Sequence, residues 1–178
     1  MKQIIQPELL TERVRELADE ISSHMVKSRT PVEGNQDMLI VLGVLTGGAF
    51  LTVDLVRLLT VPAILGWVRV ESYRGVEKRV QGPLRVDMLV DWNTDFNGRR
   101  VLIVDDILDT GSTMEAVVRH IARFDPRSIE TVTLLRKPFV GERVGLDYVG
   151  FDVPDHFVIG SGLDYDGLFR DLPGVWVL

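Results

Sequence analysis

The segment at residues 101–113 constrains the fold of this chain more than any other. It reads VLIVDDILDTGST, which is an apolar run, two adjacent acids, a third acid and a hydroxylated loop with one glycine. Such an apolar run is typical of a strand in a parallel sheet, and the apolar spacing after the loop is helical. Backbone N–H groups at a helix N-terminus bind phosphate, and neighbouring carboxylates bind hydroxyls or a metal ion. The segment therefore predicts a strand, loop and helix that bind a phosphorylated, hydroxylated ligand.

Further strands and helices alternate along the chain, which predicts an α/β fold with a mostly parallel central sheet flanked by helices. In such sheets ligands bind beyond the carboxyl ends of the strands. Residues 28–37 and 71–85 lack periodicity and are predicted as loops. Helices are predicted over residues 7–25, over 49–59 and from the end of the 101–113 segment to about 124. Strands are predicted over 38–45, 63–70, 86–90, 101–104 and 129–135. Short β-like pieces are predicted over 148–153, 157–160 and 175–178.

Length and composition narrow the class of protein. The 178 residues fit one domain, 1–178, and the net charge of −6 argues against a general nucleic-acid binder. Cysteine is absent, which excludes disulfides and thiolate metal sites. Neither a membrane-spanning run nor a secretory signal is visible, so we expect a cytoplasmic protein without membrane partners.

The phosphate-binding segment resembles that of the type I phosphoribosyltransferases, and the similarity extends over nearly the whole chain to the hypoxanthine-guanine phosphoribosyltransferases. This resemblance implies a purine salvage enzyme. It implies transfer of the 5-phosphoribosyl group from 5-phosphoribosyl 1-pyrophosphate to N9 of hypoxanthine or guanine, with Mg²⁺, giving IMP or GMP and pyrophosphate. The further matching segments are VLTGGAF at 44–50, ESY at 71–73, LLRK at 134–137, FVIG at 157–160, LDY at 163–165 and FRDL at 169–172.

The resemblance assigns the phosphoribosyl end of the ligand to the 101–113 segment. It implies that Asp105 and Asp106 bind the ribose hydroxyls directly or through Mg²⁺, since carboxylates accept hydrogen bonds and bind hard cations. Asp109 is implied as the general acid or base near N7 of the purine, although a lone loop aspartate more often caps a helix. The residues implied to bind the 5′-phosphate, which could equally form a plain capping turn, are Asp109, Thr110, Gly111, Ser112 and Thr113.

The loop after residue 45 is implied to bind pyrophosphate. Thr46 and Gly47 contribute backbone N–H groups, the family often has a non-proline cis peptide here, and Arg170 contributes a planar fork of donors. Many relatives have Lys where this chain has Thr46, so one cation near the pyrophosphate is lost. A plain strand-to-helix turn is the alternative interpretation.

The base is implied to bind near the C-terminal segments. Lys137 would donate to the purine O6, which selects a 6-oxo base because an ammonium has donors only. Phe157 would stack on the purine, Val158 would offer backbone groups, and Asp164 would bind a second Mg²⁺. On residue chemistry alone, a lone lysine at a strand end such as Lys137 is usually solvated, and a phenylalanine in an apolar run such as Phe157 is more often a core residue.

The resemblance also implies an internal organisation. A core of about residues 35–140 would carry a hood, made of the N-terminal and C-terminal segments, over the base site. Residues 71–85, beginning with Ser72 and Tyr73, would form a mobile lid that excludes water from the reaction. Members of the family are dimers or tetramers, so a homodimer or homotetramer is expected.

Two other functions stay open from the sequence. A xanthine-guanine phosphoribosyltransferase differs only in contacts around the 2-position of the base, near Val158 and Asp164. A phosphoribosyltransferase-like regulator that binds nucleic acid needs a basic surface, which the isoelectric point of about 5.1 disfavours.

Overall fold

A computed structural model describes residues 1–27, 38–74, 81–91, 93–138 and 145–178. The helices in these residues are α1 (Pro7–Lys27), α2 (Gly48–Leu58) and α3 (Ser112–Ile121), and a 3-10 helix (Ala122–Phe124) follows α3. The strands are β1 (Lys2–Ile5), β2 (Leu39–Leu45), β3 (Ala63–Arg74), β4 (Gln81–Leu89), β5 (Arg100–Leu108), β6 (Ser128–Arg136), β7 (Tyr148–Asp152), β8 (Val158–Ile159) and β9 (Val175–Val177).

The central sheet has the strand order β4-β3-β2-β5-β6-β7. All neighbouring pairs are parallel except β3 and β4, which are antiparallel. β2 and β5 lie next to each other in the middle, where Ile40 pairs with Val101 and Gly43 pairs with Val104. The predicted α/β fold with a mostly parallel sheet is therefore confirmed, and its central strands end side by side.

Helices cover both faces of this sheet because the side chains of a strand alternate between faces. In β5, Leu102 and Val104 belong to one buried cluster, which also holds the apolar faces of α1 and α2. Val101 and Ile103 point the other way, into a second buried cluster that holds one face of α3. The core thus fixes the end of β5 between two helical layers.

A second, smaller sheet joins the two ends of the chain in the order β1-β9-β8. Its pairs are antiparallel, with Lys2 opposite Val177 and Val158 also opposite Val177. The sequence analysis predicts no strand before residue 7, whereas the structure has β1 there. Four residues carry little local signal, and their partner strand lies at the far end of the sequence.

Two further predictions need correction. Residues 71–85 are predicted as a loop, but β3 continues to Arg74 and β4 begins at Gln81, so both ends of that segment form an antiparallel hairpin. The motif strand is predicted to end at residue 104, but β5 continues through both acids to Leu108. The predicted loop at 28–37 lies outside the described residues. No helix among the described residues is long and apolar enough to span a membrane.

Candidate active site

The site lies beyond the carboxyl ends of β2 and β5, where a cavity of about 360 Å³ opens. Parallel neighbours end at the same edge, so the loops after both strands face one space. The sequence-predicted residues that line the cavity are Thr46, Gly47, Asp105, Asp106, Asp109, Thr110, Gly111, Thr113, Asp164 and Arg170. The structure therefore brings together the acid pair, most of the hydroxylated loop and the residues predicted to bind pyrophosphate.

Asp105 and Asp106 lie at the floor of the cavity. Asp105 is buried, and its Oδ1 accepts a hydrogen bond from the Asp106 N–H at 3.0 Å. Asp106 Oδ1 accepts one from the Ile107 N–H at 3.0 Å. Burial, and then the neighbouring Asp106 charge, raise the pKa of Asp105 well above its usual range. A pair held in this way favours a ligand that brings positive charge or hydroxyl donors.

The loop after β2 lies directly against this acid pair. The peptide bond between Leu45 and Thr46 is cis, as the family resemblance implies. A Cβ atom placed on Gly47 would lie 1.6 Å from Oδ2 of Asp106. One placed on Gly48 would lie 2.8 Å from the Val104 carbonyl oxygen. Glycine at both positions is therefore what allows the loop to approach the end of β5.

The loop after β5 leads into α3. Gly111 occupies the N-cap position in the left-handed conformation, with φ of 78°, and no side chain caps the helix. The alternative role of Asp109 as the helix cap is therefore wrong. Ser112 N–H and Thr110 Oγ1 lie 3.4 Å apart, and the Thr110 hydroxyl donates to Ser112 Oγ at 3.1 Å. The open N-terminus of α3 suits an anion.

Lys137 follows β6 and lies at the other end of the site. Its Nζ is 3.3 Å from Oδ1 of Asp109 and 3.2 Å from Oδ1 of Asp155. Its side chain is only 14% exposed, so Lys137 is not the solvated lysine of the alternative interpretation. Burial lowers the pKa of Lys137, but the hydrogen bonds to Asp155 and Asp109 outweigh it, and the net direction is up. The sequence analysis misses Asp155, because no motif marks it.

The C-terminal segment contributes an aromatic pair. Phe157 is 53% exposed, so the alternative that it is a core residue is wrong. Its ring meets that of Tyr165 edge-on, with centroids 5.6 Å apart and an interplanar angle of 89°. Val158 is buried in β8, opposite Val177 of β9. About half of the Phe157 side chain is therefore open to solvent.

Asp164 and Arg170 meet each other inside the cavity. Arg170 Nη2 is 2.7 Å from Asp164 Oδ1, and Arg170 Nη1 donates to the Gly162 carbonyl at 2.5 Å. Asp164 Oδ2 accepts a hydrogen bond from the Gly167 N–H at 2.7 Å. Among the residues the structure describes, no three acidic or histidine side chains are grouped as metal ligands. Carboxylates are therefore available to a metal only as single or paired donors.

Several predicted site residues do not line this cavity, and Lys137, Phe157 and Val158 are among them. Ser112 lines a different cavity, which lies between α3 and β4. Ser72 and Tyr73 are in the backbone of β3, where Ser72 pairs with Leu84. Their side chains, and residues 75–80 of the predicted lid, are outside the part of the chain that the structure describes.

Both the sequence and the fold of this chain are similar to those of known proteins. A family model, the phosphoribosyl transferase domain, matches residues 2–166. The hypoxanthine-guanine phosphoribosyltransferase of Mycobacterium avium is 38% identical over 176 residues, 98% of this chain and 84% of that protein. That of Aquifex aeolicus is 33% identical over 182 residues, 100% of this chain and 94% of that protein. A solved structure of Trypanosoma cruzi hypoxanthine phosphoribosyl transferase has a TM-score of 0.83 and 35% identity, covering 100% of this chain and 91% of that one.

Proposed function

The chain belongs to the phosphoribosyltransferase family, and from this premise we propose that it is a purine salvage enzyme. It transfers the 5-phosphoribosyl group from 5-phosphoribosyl 1-pyrophosphate to N9 of hypoxanthine or guanine, forming IMP or GMP and pyrophosphate. One observation carries the proposal. A single cavity is lined by the acid pair of Asp105, which is buried, and Asp106, by a hydroxylated loop at a helix N-terminus and by Arg170.

The phosphoribosyl group is bound by the segment from Asp105 to Thr113. The N-terminal N–H groups of α3 and the hydroxyls of Thr110 and Thr113 bind the 5′-phosphate. Gly111 supports this role, because its left-handed backbone opens the loop without a side chain in the way. Asp105 and Asp106 accept hydrogen bonds from the ribose hydroxyls. Pyrophosphate lies between the Thr46–Gly47 loop and Arg170, which both border the same cavity.

The base lies between Lys137 and Phe157. The Lys137 ammonium donates to O6 of a 6-oxopurine, and the exposed ring of Phe157 stacks on its face. The Val158 backbone meets the base edge. Asp109 exchanges a proton at N7 of the purine, and its position 3.3 Å from the Lys137 ammonium supports that role. The two side chains thus recognise neighbouring atoms of one ring system.

Magnesium is the metal that the family implies, and the donor set here fits it. Mg²⁺ takes one or two carboxylates and fills its other positions with water and substrate phosphate oxygens. Asp105 and Asp106 offer such a pair, and Asp164 offers a third carboxylate across the cavity. When bound, Mg²⁺ would supply positive charge against the departing pyrophosphate.

The remaining features of the proposal concern the surroundings of the site. The small β1-β9-β8 sheet forms the hood, and the β3–β4 hairpin carries the lid that shields the reacting sugar from water. The whole chain acts as one domain. Cytoplasmic location and assembly into dimers or tetramers stay predictions from the family resemblance.

A base screen tests the proposal directly. Purified chain is mixed with 5-phosphoribosyl 1-pyrophosphate, Mg²⁺ and one of hypoxanthine, guanine, xanthine, adenine or uracil, and nucleotide formation is followed spectrophotometrically. We expect IMP and GMP from the first two bases and no product from adenine or uracil. Formation of product from xanthine and guanine, but not from hypoxanthine, supports the xanthine-guanine alternative. Absence of product with every base contradicts the proposal.

A further inference from the structure

Lys137 is held by two carboxylates, and the second of them has no role in the proposed reaction. Asp109 Oδ1 lies 3.3 Å from the Lys137 Nζ on one side, and Asp155 Oδ1 lies 3.2 Å from it on the other. The Lys137 side chain is 14% exposed, whereas the side chains of Asp109 and Asp155 are 60% and 69% exposed. A largely buried ammonium is therefore bridged between two groups on the rim of the site.

The backbone places Asp155 rigidly with respect to Lys137. The Val153 N–H donates to the Arg136 carbonyl at 2.9 Å, one residue before Lys137. The His156 N–H closes a tight turn onto the Pro154 carbonyl at 2.7 Å. Asp155 lies between these two hydrogen bonds. The backbone on both sides of Asp155 is therefore held near the end of β6, which Lys137 directly follows.

The backbone of Lys137 also forms a hydrogen bond to the phosphoribosyl side of the site. Its own N–H donates to the Leu108 carbonyl at 3.1 Å, at the end of β5. Asp109 follows Leu108 directly, so it belongs to the loop that precedes α3. The Lys137 ammonium thus joins the phosphoribosyl half of the site to the segment that leads into Phe157.

We propose that Asp155 is a positioning residue for recognition of the purine 6-oxygen. It holds the Lys137 ammonium at the base end of the site while Asp109 engages the purine. An ammonium has three donors, so with two carboxylates in contact it keeps a third donor for O6. Without the Asp155 carboxylate, the Lys137 ammonium is held by Asp109 alone and moves away from the purine 6-oxygen. This inference rests on the proposed function and names the group that sets its base specificity.

Three variants test the inference in steady-state assays with saturating 5-phosphoribosyl 1-pyrophosphate. Asp155→Asn removes the charge, and Asp155→Glu keeps it. Asp152→Asn is the matched control, because Asp152 is an exposed carboxylate that pairs with Arg136 at 2.7 Å on the same sheet edge. We expect Asp155→Asn to raise the KM for hypoxanthine about fivefold, the upper range for removal of one partly exposed ion pair. kcat stays within about twofold, and both other variants match the wild type.

Two readouts separate positioning from a general structural effect. Unsubstituted purine lacks the 6-oxygen, so its inhibition constant should be the same in the wild type and Asp155→Asn. In a Lys137→Ala background, Asp155→Asn should cause no further rise in the hypoxanthine KM, because the group that it positions is gone. An equal rise for both ligands, or additive effects of the two substitutions, overturns the inference.

The outcomes also distinguish the inference from the proposed function. An active wild type whose Asp155→Asn variant has an unchanged hypoxanthine KM overturns the inference alone. A wild type that forms no nucleotide from any base overturns the proposed function and the inference with it. The expected pattern, a selective loss for 6-oxopurines that Glu at position 155 restores, supports both.

Discussion

The phosphoribosyl end of the site, which lines the cavity, and the base end, which adjoins it through the contact of Lys137 with Asp109, are built from different kinds of structure. The first comes from one continuous segment, β5 with its loop and α3, and Asp105 at its centre is 6% exposed. The second is assembled from the ends of β6 and β7 and the start of β8, and Phe157 there is 53% exposed. Core packing fixes the first end, whereas a few long-range polar contacts fix the second.

This difference indicates how the two ends tolerate change. A substitution at the phosphoribosyl end meets buried neighbours that cannot move, so it should affect donor binding or stability. A substitution at the base end changes side chains that are held by a few polar contacts outside the main core, so it should alter base preference and leave the fold intact. The four predictions that follow test this division, from the largest expected effect to the smallest.

Asp109 stands where the two ends meet, so its replacement should have the largest effect. Asp109→Asn should lower kcat by about 10²–10⁴-fold, the range for loss of a general acid or base. Donor affinity, measured by calorimetry with Mg²⁺, should change by less than about threefold, since the loop backbone is kept. An unchanged kcat would remove Asp109 from the mechanism.

Gly47 tests the rigidity of the phosphoribosyl end. In Gly47→Ala the added Cβ would overlap Oδ2 of Asp106, and the acid pair or the loop must shift. Displacement of about 1 Å at such a site costs about 100-fold in kcat/KM. Gly145→Ala is the control, because a Cβ there meets no atom within 4 Å. Equal activity of the two variants would show that this end is not rigid.

Lys137 tests the base end. Lys137→Ala should lower kcat/KM for hypoxanthine about tenfold and reduce discrimination against adenine, because a charged donor to O6 is lost. The melting temperature should change little in comparison, since Lys137 contacts two exposed carboxylates and belongs to neither hydrophobic core cluster. Lys27→Ala, at an exposed lysine at the end of α1, serves as control. Full discrimination in Lys137→Ala would refute the O6 assignment.

Asp105 should show a stability effect that depends on pH. Its pKa is raised in the folded chain, chiefly by burial and then by Asp106, so the native state holds a proton that the unfolded state has released. The wild type therefore loses stability as pH rises from the unfolded pKa of about 4 through the raised folded value. Asp105→Asn has no carboxyl group at this position to titrate, so it should not lose stability in this way.

The Asp105→Asn variant should be more stable than the wild type at pH 8, with a smaller difference at pH 4. Denaturant unfolding without metal at both pH values measures it. Asp19→Asn, at an exposed position on α1, should change stability by less than about 0.5 kcal/mol at either pH. A variant less stable than the wild type at pH 8 would contradict the raised pKa of a buried Asp105.

The sequence predicts the phosphoribosyl end well because its signal is local. The apolar run, the acids and the loop are consecutive, and the α/β fold follows from alternating strands and helices. The predicted end of β5 is wrong. The strand pairs with β6 as far as Leu108, opposite Arg136, although the apolar run ends before the two acids. Backbone pairing, which a sequence pattern does not display, decides where the strand ends.

The base end was less predictable because its contacts are distant in sequence. Asp155 meets Lys137 only after β7 has paired with β6, and nothing in residues 153–156 marks that aspartate. β1 is missed for the same reason, since its partner β9 lies at the other end of the chain. The parts of β3 and β4 that fall within residues 71–85 are missed because charged and glycine residues hide their alternation.

The most direct measurement titrates 5-phosphoribosyl 1-pyrophosphate into the protein by calorimetry with Mg²⁺ present. The wild type and a double variant, Asp105→Asn with Asp106→Asn, are compared. The account predicts saturable binding at one site per chain in the wild type and at least tenfold weaker binding in the double variant, since charged hydrogen bonds and metal ligands are removed. Absence of binding in the wild type, or equal binding in both proteins, would contradict it.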